Sequence, residues 1–190
     1  MEEVASCFHI FVTGQIEYAA FPMGPNASEV FCRFEIFAGK DWEHVSGLKN
    51  GISQSSVAKR GCKEITLNMP IEFVYKSTNP YGWPKLVFCV YGKNFWGAET
   101  SLGYALIHVP IFGYKRKIKT PILIPRCSNL LAELSTWITG KNPELKNPEV
   151  IAEGIKTKGL QVESYGELVL SLQTMSRGSN RMGYDSGKIQ

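Results

Sequence analysis

Apolar residues recur at every second position along most of this 190-residue chain. That spacing puts alternate side chains of an extended strand on one face. Phe8, Ile10, Val12, Ile16 and Tyr18 share one face of a first expected strand. Val30, Cys32, Phe34, Ile36 and Ala38 line a second, with Glu29, Arg33 and Glu35 opposite. Ile65, Leu67 and Met69 align over 62–69, and Ile71 to Tyr75 continue extended after Pro70. Leu86 to Tyr91 is apolar on both faces, which predicts a central strand. Further strands are expected at 103–109, 117–124, 156–164 and 167–175, the last with Leu168, Leu170 and Leu172 aligned. About eight or nine strands at this spacing predict an all-β fold, an antiparallel sandwich or barrel.

One helical pattern interrupts the alternation. Ser128 can cap it, Leu130, Leu131, Leu134, Trp137 and Ile138 form its apolar stripe, and Gly140 and Pro143 stop it. A shorter turn is expected at Asn147-Pro148. With so few helices a βαβ architecture is excluded, and the helix is expected in a long connection near one end of the sandwich. Residues 40–61 read as a long polar connection with Gly47, Gly51 and Gly61. From Ser176 onward the chain is rich in Ser, Gly and Arg and reads as a mobile tail. No repeat or linker divides the rest. The expected organisation is an N-terminal extension at 1–6, one domain at 7–175 and a tail at 176–190.

The segment Lys76 to Gly92 carries a stiff turn into the central strand. Asn79-Pro80, Gly82 and Trp83-Pro84 prescribe its backbone, because Pro fixes φ and Gly accepts positive φ. Tyr81 and Trp83 are bulky aromatics within that turn, and Phe95 and Trp96 form a second aromatic turn. Exposed aromatics can anchor a protein interface or enter a membrane interface. The alternative is that they fold back and close the end of the sandwich.

Charge and composition narrow the class. An apolar fraction of 44% with 20% charged residues suits a globular domain of this length. The net charge of +4 permits an anionic lipid or acidic partner and does not call for nucleic acid. The Met-Glu-Glu start is acidic where a secretory signal is basic, and no run approaches the roughly 20 apolar residues needed to span a bilayer. A soluble or membrane-peripheral protein is expected. Cys7, Cys32, Cys62, Cys89 and Cys127 are odd in number and scattered, which favours free thiols in a reducing compartment. The sequon at Asn26 is then accidental.

Catalytic and metal-binding patterns are sparse. Asp41 and Asp185 lie far apart, too few to build a calcium site, which needs several converging carboxylates. His9, His44 and His108 fall in different segments without metal-ligand spacing. No G-x-S-x-G elbow occurs, and Gly154 to Gly159 has phosphate-loop spacing but lacks the Lys and Ser/Thr that should follow. No catalytic residue, metal or cofactor is expected. One positive feature remains: Lys115, Arg116, Lys117 and Lys119 place four cations in five residues beside Tyr114. They read either as a site for anionic lipid or as a solvated edge strand whose lysines oppose aggregation.

Specific strings then resemble one known family. Ser77-Thr78-Asn79-Pro80-Tyr81-Gly82-Trp83-Pro84 is similar to a signature of the B9 domain family, C2-like proteins of the ciliary transition zone. Gly39 to Trp42, Gly51 to Gln54, Gly103-Tyr104, His108 to Pro110, Asn147 to Ala152 and Gly183 to Gly187 also fit, so the resemblance runs over roughly residues 7–187. Asn94 and Ala105 depart from the residues the family often has, Asp and Gly, without threatening a strand fold. The resemblance implies an eight-stranded C2-like sandwich acting as a non-enzymatic scaffold. It further implies partners among other B9 domain proteins, including the Meckel syndrome type 1 protein and the second short B9 protein, with tectonic and transmembrane transition-zone proteins. The implied location is the cytoplasm at the basal body and transition zone, peripheral to the ciliary membrane, where such a complex supports ciliogenesis and the membrane diffusion barrier. Anionic phospholipid is a further expected partner, bound without calcium; nucleic acid is not.

Overall fold

The computed structural model describes residues 7–59, 61–94, 97–111, 113–125, 151–152 and 162–184. Its strands are β1 (Phe8–Ala20), β2 (Glu29–Phe37), β3 (Trp42–Gly47), β4 (Asn50–Ile52), β5 (Ser56–Val57), β6 (Glu64–Ser77), β7 (Lys85–Lys93), β8 (Glu99–His108), β9 (Gly113–Pro125) and β10 (Val162–Arg177). All described pairings are antiparallel, in the order β3-β6-β1-β10-β9-β8-β7-β2-β4, with β5 against β2. Among the described residues β8 and β9 share a single registered pair, Tyr104 with Leu123, while the ladders on either side are long. At that thin junction the sheet turns over on itself. Ile10, Val12, Phe73 and Leu170 of one layer thereby pack with Phe34, Phe88, Val90 and Ile107 of the other. The all-β, antiparallel sandwich follows from the period-two pattern, because each layer must bury its apolar face on the other.

β7 is buried along nearly its whole length, as its two-faced apolar pattern requires. Leu86, Phe88 and Val90 enter the sandwich interior, whereas Val87, Cys89 and Tyr91 join Phe31 and Tyr104 in a second cluster. Ile151 and Ala152 pack onto that second cluster, and the Lys85 ammonium donates to the Ala152 carbonyl at 2.8 Å. Each large side chain so buried contributes about 1.5–3 kcal/mol. The helix expected from Ser128 and the turn expected at Asn147-Pro148 lie outside the described residues.

Several sequence expectations are corrected. Residues 40–61 are not a plain connection, because β3, β4 and β5 lie within them. These are short edge strands whose side chains mostly face solvent, so they carry no apolar alternation. Tyr18 does not share the face of Phe8, Ile10, Val12 and Ile16. A register shift between Ile16 and Tyr18 returns Ala19 to the core instead. As expected, the chain continues extended after Pro70 within β6: β3 registers with β6 only from Phe73 onward, so the proline faces no β3 partner.

The tail boundary also moves. β10 runs on to Arg177, a 3-10 turn forms at Asn180–Met182, and Met182 and Tyr184 pack against the core. The Tyr184 ring meets Phe8 edge-on at 5.7 Å. Apolar Met182 and Tyr184 inside a Ser/Gly-rich stretch supply the anchoring.

Candidate interaction site

The turn between β6 and β7 is clasped to the turn between β2 and β3. Asn79 first folds the local backbone, its side-chain oxygen accepting from the Tyr81 amide at 2.9 Å. Its side-chain nitrogen then donates to the Asp41 carboxylate at 2.8 Å. The Gly39 amide donates to the Gly82 carbonyl at 2.8 Å, and the Trp42 indole donates to the Tyr81 carbonyl at the same distance. Trp83 folds back, donating its indole N–H to the Val109 carbonyl at 2.8 Å and meeting Trp42 edge-on at 5.1 Å. The strings 39–42, 77–84 and 108–110, separate in sequence, are therefore three sides of one structure.

Inside that clasp the two aromatics part company. Trp83 is half-buried and packs against the core, closing the sandwich end. Tyr81 has both its amide and its carbonyl committed, yet its side chain is 84% exposed. A rigid backbone thus holds out a large amphipathic ring, the arrangement that suits an interface anchor, since little entropy remains to be lost on binding. Beside it lies a cleft of about 230 Å³ lined by Phe37, Gly39, Gly82, Trp83, Lys85 and Ala152 among others. Phe95 and Trp96, the other aromatic turn, lie outside the described residues.

The cations of β9 divide by face. Lys117 and Lys119 register with Ser171 and Val169 of β10 and point outward, while Lys115 lies in the irregular interval between Gly113 and Arg116. Arg116 has the opposite parity to Lys117 and, like the lysines, is exposed. Both outward lysines in register already have acidic neighbours: Lys117 reaches Glu17 at 2.9 Å, and Lys119 lies 3.8 Å from Glu167. The Lys117 ammonium also sits 5.1 Å over the Tyr18 ring. Glu17 accepts a hydrogen bond from the Ser171 hydroxyl. That bond, and then Lys117, hold the Glu17 carboxyl below its ordinary value, while Glu17 raises Lys117.

Glu17 and Trp42 went unrecognised as site residues from spacing alone. No sequence signal marked Glu17, because the apolar alternation runs unbroken through Tyr18 and the bulge that re-aims its side chain appears only in the strand register. For Trp42 it was a tryptophan following a Gly-Lys-Asp turn, with no hint of its distant carbonyl acceptor. Among the described residues no helix is long and apolar enough to cross a membrane.

Comparison with known proteins adds a family. Residues 10–175 match the family model B9-C2, described as a ciliary basal body-associated B9 protein. B9 domain-containing protein 1 of Drosophila melanogaster is 44% identical, the match covering 95% of this chain and 78% of that protein. The Homo sapiens protein of the same name is 33% identical, covering 96% and 88%. Homo sapiens B9 domain-containing protein 2 is 26% identical, covering 93% and 98%. Among solved structures, a C2 domain of plant extended synaptotagmin 1 aligns with a TM-score of 0.44 and 12% identity, over 86% of this chain and 92% of that one.

Proposed function

Because the chain belongs to the B9-C2 family of ciliary basal body-associated proteins, we propose that it is a non-enzymatic scaffold of the ciliary transition zone. In this reading it binds other B9 domain proteins, the Meckel syndrome type 1 protein and the second short B9 protein among them. The assembly, with tectonic and transmembrane partners, supports ciliogenesis and the membrane diffusion barrier. The observation that carries the reading is Tyr81, a largely solvent-presented ring on a backbone clasped from both sides. Trp83 contributes indirectly, by holding the turn that carries Tyr81. Phe95 and Trp96 are proposed as further contacts. Coexpression with the two other B9 proteins should give one stable stoichiometric complex, and separate elution under mild conditions would contradict it.

A second reading is favoured by the shared outward face of Lys117 and Lys119. Lys115, Arg116, Lys117 and Lys119 bind anionic phospholipid without calcium, keeping the scaffold against the ciliary membrane. Reversing the charge of these four residues should abolish flotation with phosphoinositide-containing vesicles. Unchanged flotation would remove the assignment.

A further inference from the structure

We infer that Glu17 is a specificity-determining residue of the basic strand, screening it so that only multivalent phosphate headgroups in a bilayer compete successfully for the lysines. The inference rests on the phospholipid reading of residues 115–119. Its origin is a local irregularity. From Ile16 to Tyr18 β1 advances two residues while β10 advances one, Leu170 to Val169, so Glu17 is the extra residue of a bulge. β6 compensates on the other side: it runs from Met69 to Thr66 over the same interval, with Asn68 at φ 45°. Two strands depart from regular pleating at this level, and the residue re-aimed onto the basic face is an acid.

The re-aimed carboxylate is held in place. Its side chain keeps only 21% exposure and accepts from the Ser171 hydroxyl, a group that is itself 4% exposed. Its second oxygen lies 2.9 Å from the Lys117 ammonium, which stays 53% exposed and stands over Tyr18. Lys115 also acts on Glu17 through charge, and Glu64 and Glu17 both act on Lys117. Lys119 has Glu167 at 3.8 Å. Lys117 and Lys119, with Lys115 within charge range of Glu17, thus meet Glu17 and Glu167 on the same surface.

The consequence is a threshold. A singly charged headgroup reaching Lys117 exchanges one anion for another and gains little. A headgroup with several phosphates spans Lys117 and Lys119, about 7 Å apart along one strand face, reaches the nearby charge of Lys115, and gains attraction the single carboxylate does not offer. The surface is a sheet face with lysine stems and an aromatic ring, suited to a plane of headgroups.

The experiment is flotation of the full chain with two vesicle types, phosphatidylserine alone and phosphatidylinositol bisphosphate in a neutral carrier. Wild type is expected to float with the second and hardly with the first. Glu17→Gln should strengthen phosphatidylserine binding about fivefold, the effect of one unit charge at such a surface, and so narrow the preference. Ser171→Ala, which leaves the carboxylate charged but unanchored, should move binding the same way by less. If charge reversal of the four cations abolishes binding while Glu17→Gln changes neither vesicle, the screening is overturned and the phospholipid reading stands. If charge reversal changes nothing, both fall.

Discussion

Gly39 and Gly82 meet backbone to backbone: a Cβ placed on Gly82 would lie 2.6 Å from the Gly39 Cα, and one on Gly39 would lie 2.9 Å from the Gly82 Cα. Gly82 also holds φ at +71°, a conformation that L side chains resist. This contact lets two turns share hydrogen bonds and fixes the carbonyl of Tyr81 within reach of Trp42. Gly82→Ala is therefore expected to cost about 1–3 kcal/mol in unfolding free energy. Denaturant titration checks it, and an unchanged midpoint would mean the turns are not clasped in solution.

Tyr81 and Trp83 should separate cleanly by mutation. Trp83→Ala removes a half-buried ring and its bond to Val109, with an expected loss of about 3 kcal/mol and a melting temperature lower by roughly 10 °C. Tyr81→Ala, whose side chain touches mostly solvent, is expected to alter stability by no more than about 0.5 kcal/mol. Scanning calorimetry of the two variants distinguishes the closing ring from the presented one.

Two surface ion pairs give the acid side of the stability profile its sign. Glu17 and Glu29 both titrate below the ordinary glutamate value of 4.5, Glu17 chiefly through Ser171 and Glu29 chiefly through Lys93. A lowered folded value means the contribution is present above about 4.5 and disappears as pH falls through the lower folded values. Glu17→Gln combined with Glu29→Gln should flatten the loss between pH 5 and pH 2, in steps of about 1 pH unit during urea titration. Added salt should shrink the difference, because both pairs are partly exposed.

Thiol reactivity should follow burial. Cys62 is exposed and Cys7 partly so, whereas Cys32 and Cys89 lie within β2 and β7. Burial pushes the Cys32 thiol far above its ordinary range, so little thiolate forms there at neutral pH. Among the described cysteines, iodoacetamide is expected to label Cys62 first and Cys7 more slowly, with Cys32 and Cys89 labelled only in denaturant. Mapping by peptide mass spectrometry reads the order directly, and early labelling of Cys32 would contradict the packing of β2.

Long strands with a buried face were legible from period-two spacing, as β2, β6 and β7 illustrate. Burial of β7 on both faces was legible from the run Leu86 to Tyr91 for the same reason. Edge strands were not, since β3 buries only Trp42 and leaves Glu43, Val45 and Ser46 to solvent. Nor was the bulge at Glu17 legible, because one inserted residue changes the face of Tyr18 without changing composition. At the site, Pro and Gly placement announced a stiff turn. Which aromatic it presents depended on acceptors far away in sequence, the carbonyls of Tyr81 and Val109. Spacing cannot report contacts of that range.

The most direct test of the scaffold reading is light-scattering size exclusion of this chain coexpressed with the second short B9 protein, as wild type and as Tyr81→Ala. The wild-type pair is expected to elute as one stoichiometric complex. The Tyr81→Ala pair should dissociate about thirtyfold more readily, the loss of one interface anchor, while its melting temperature stays put. A Tyr81→Ala complex as stable as wild type, or wild-type chains that elute apart, would contradict it.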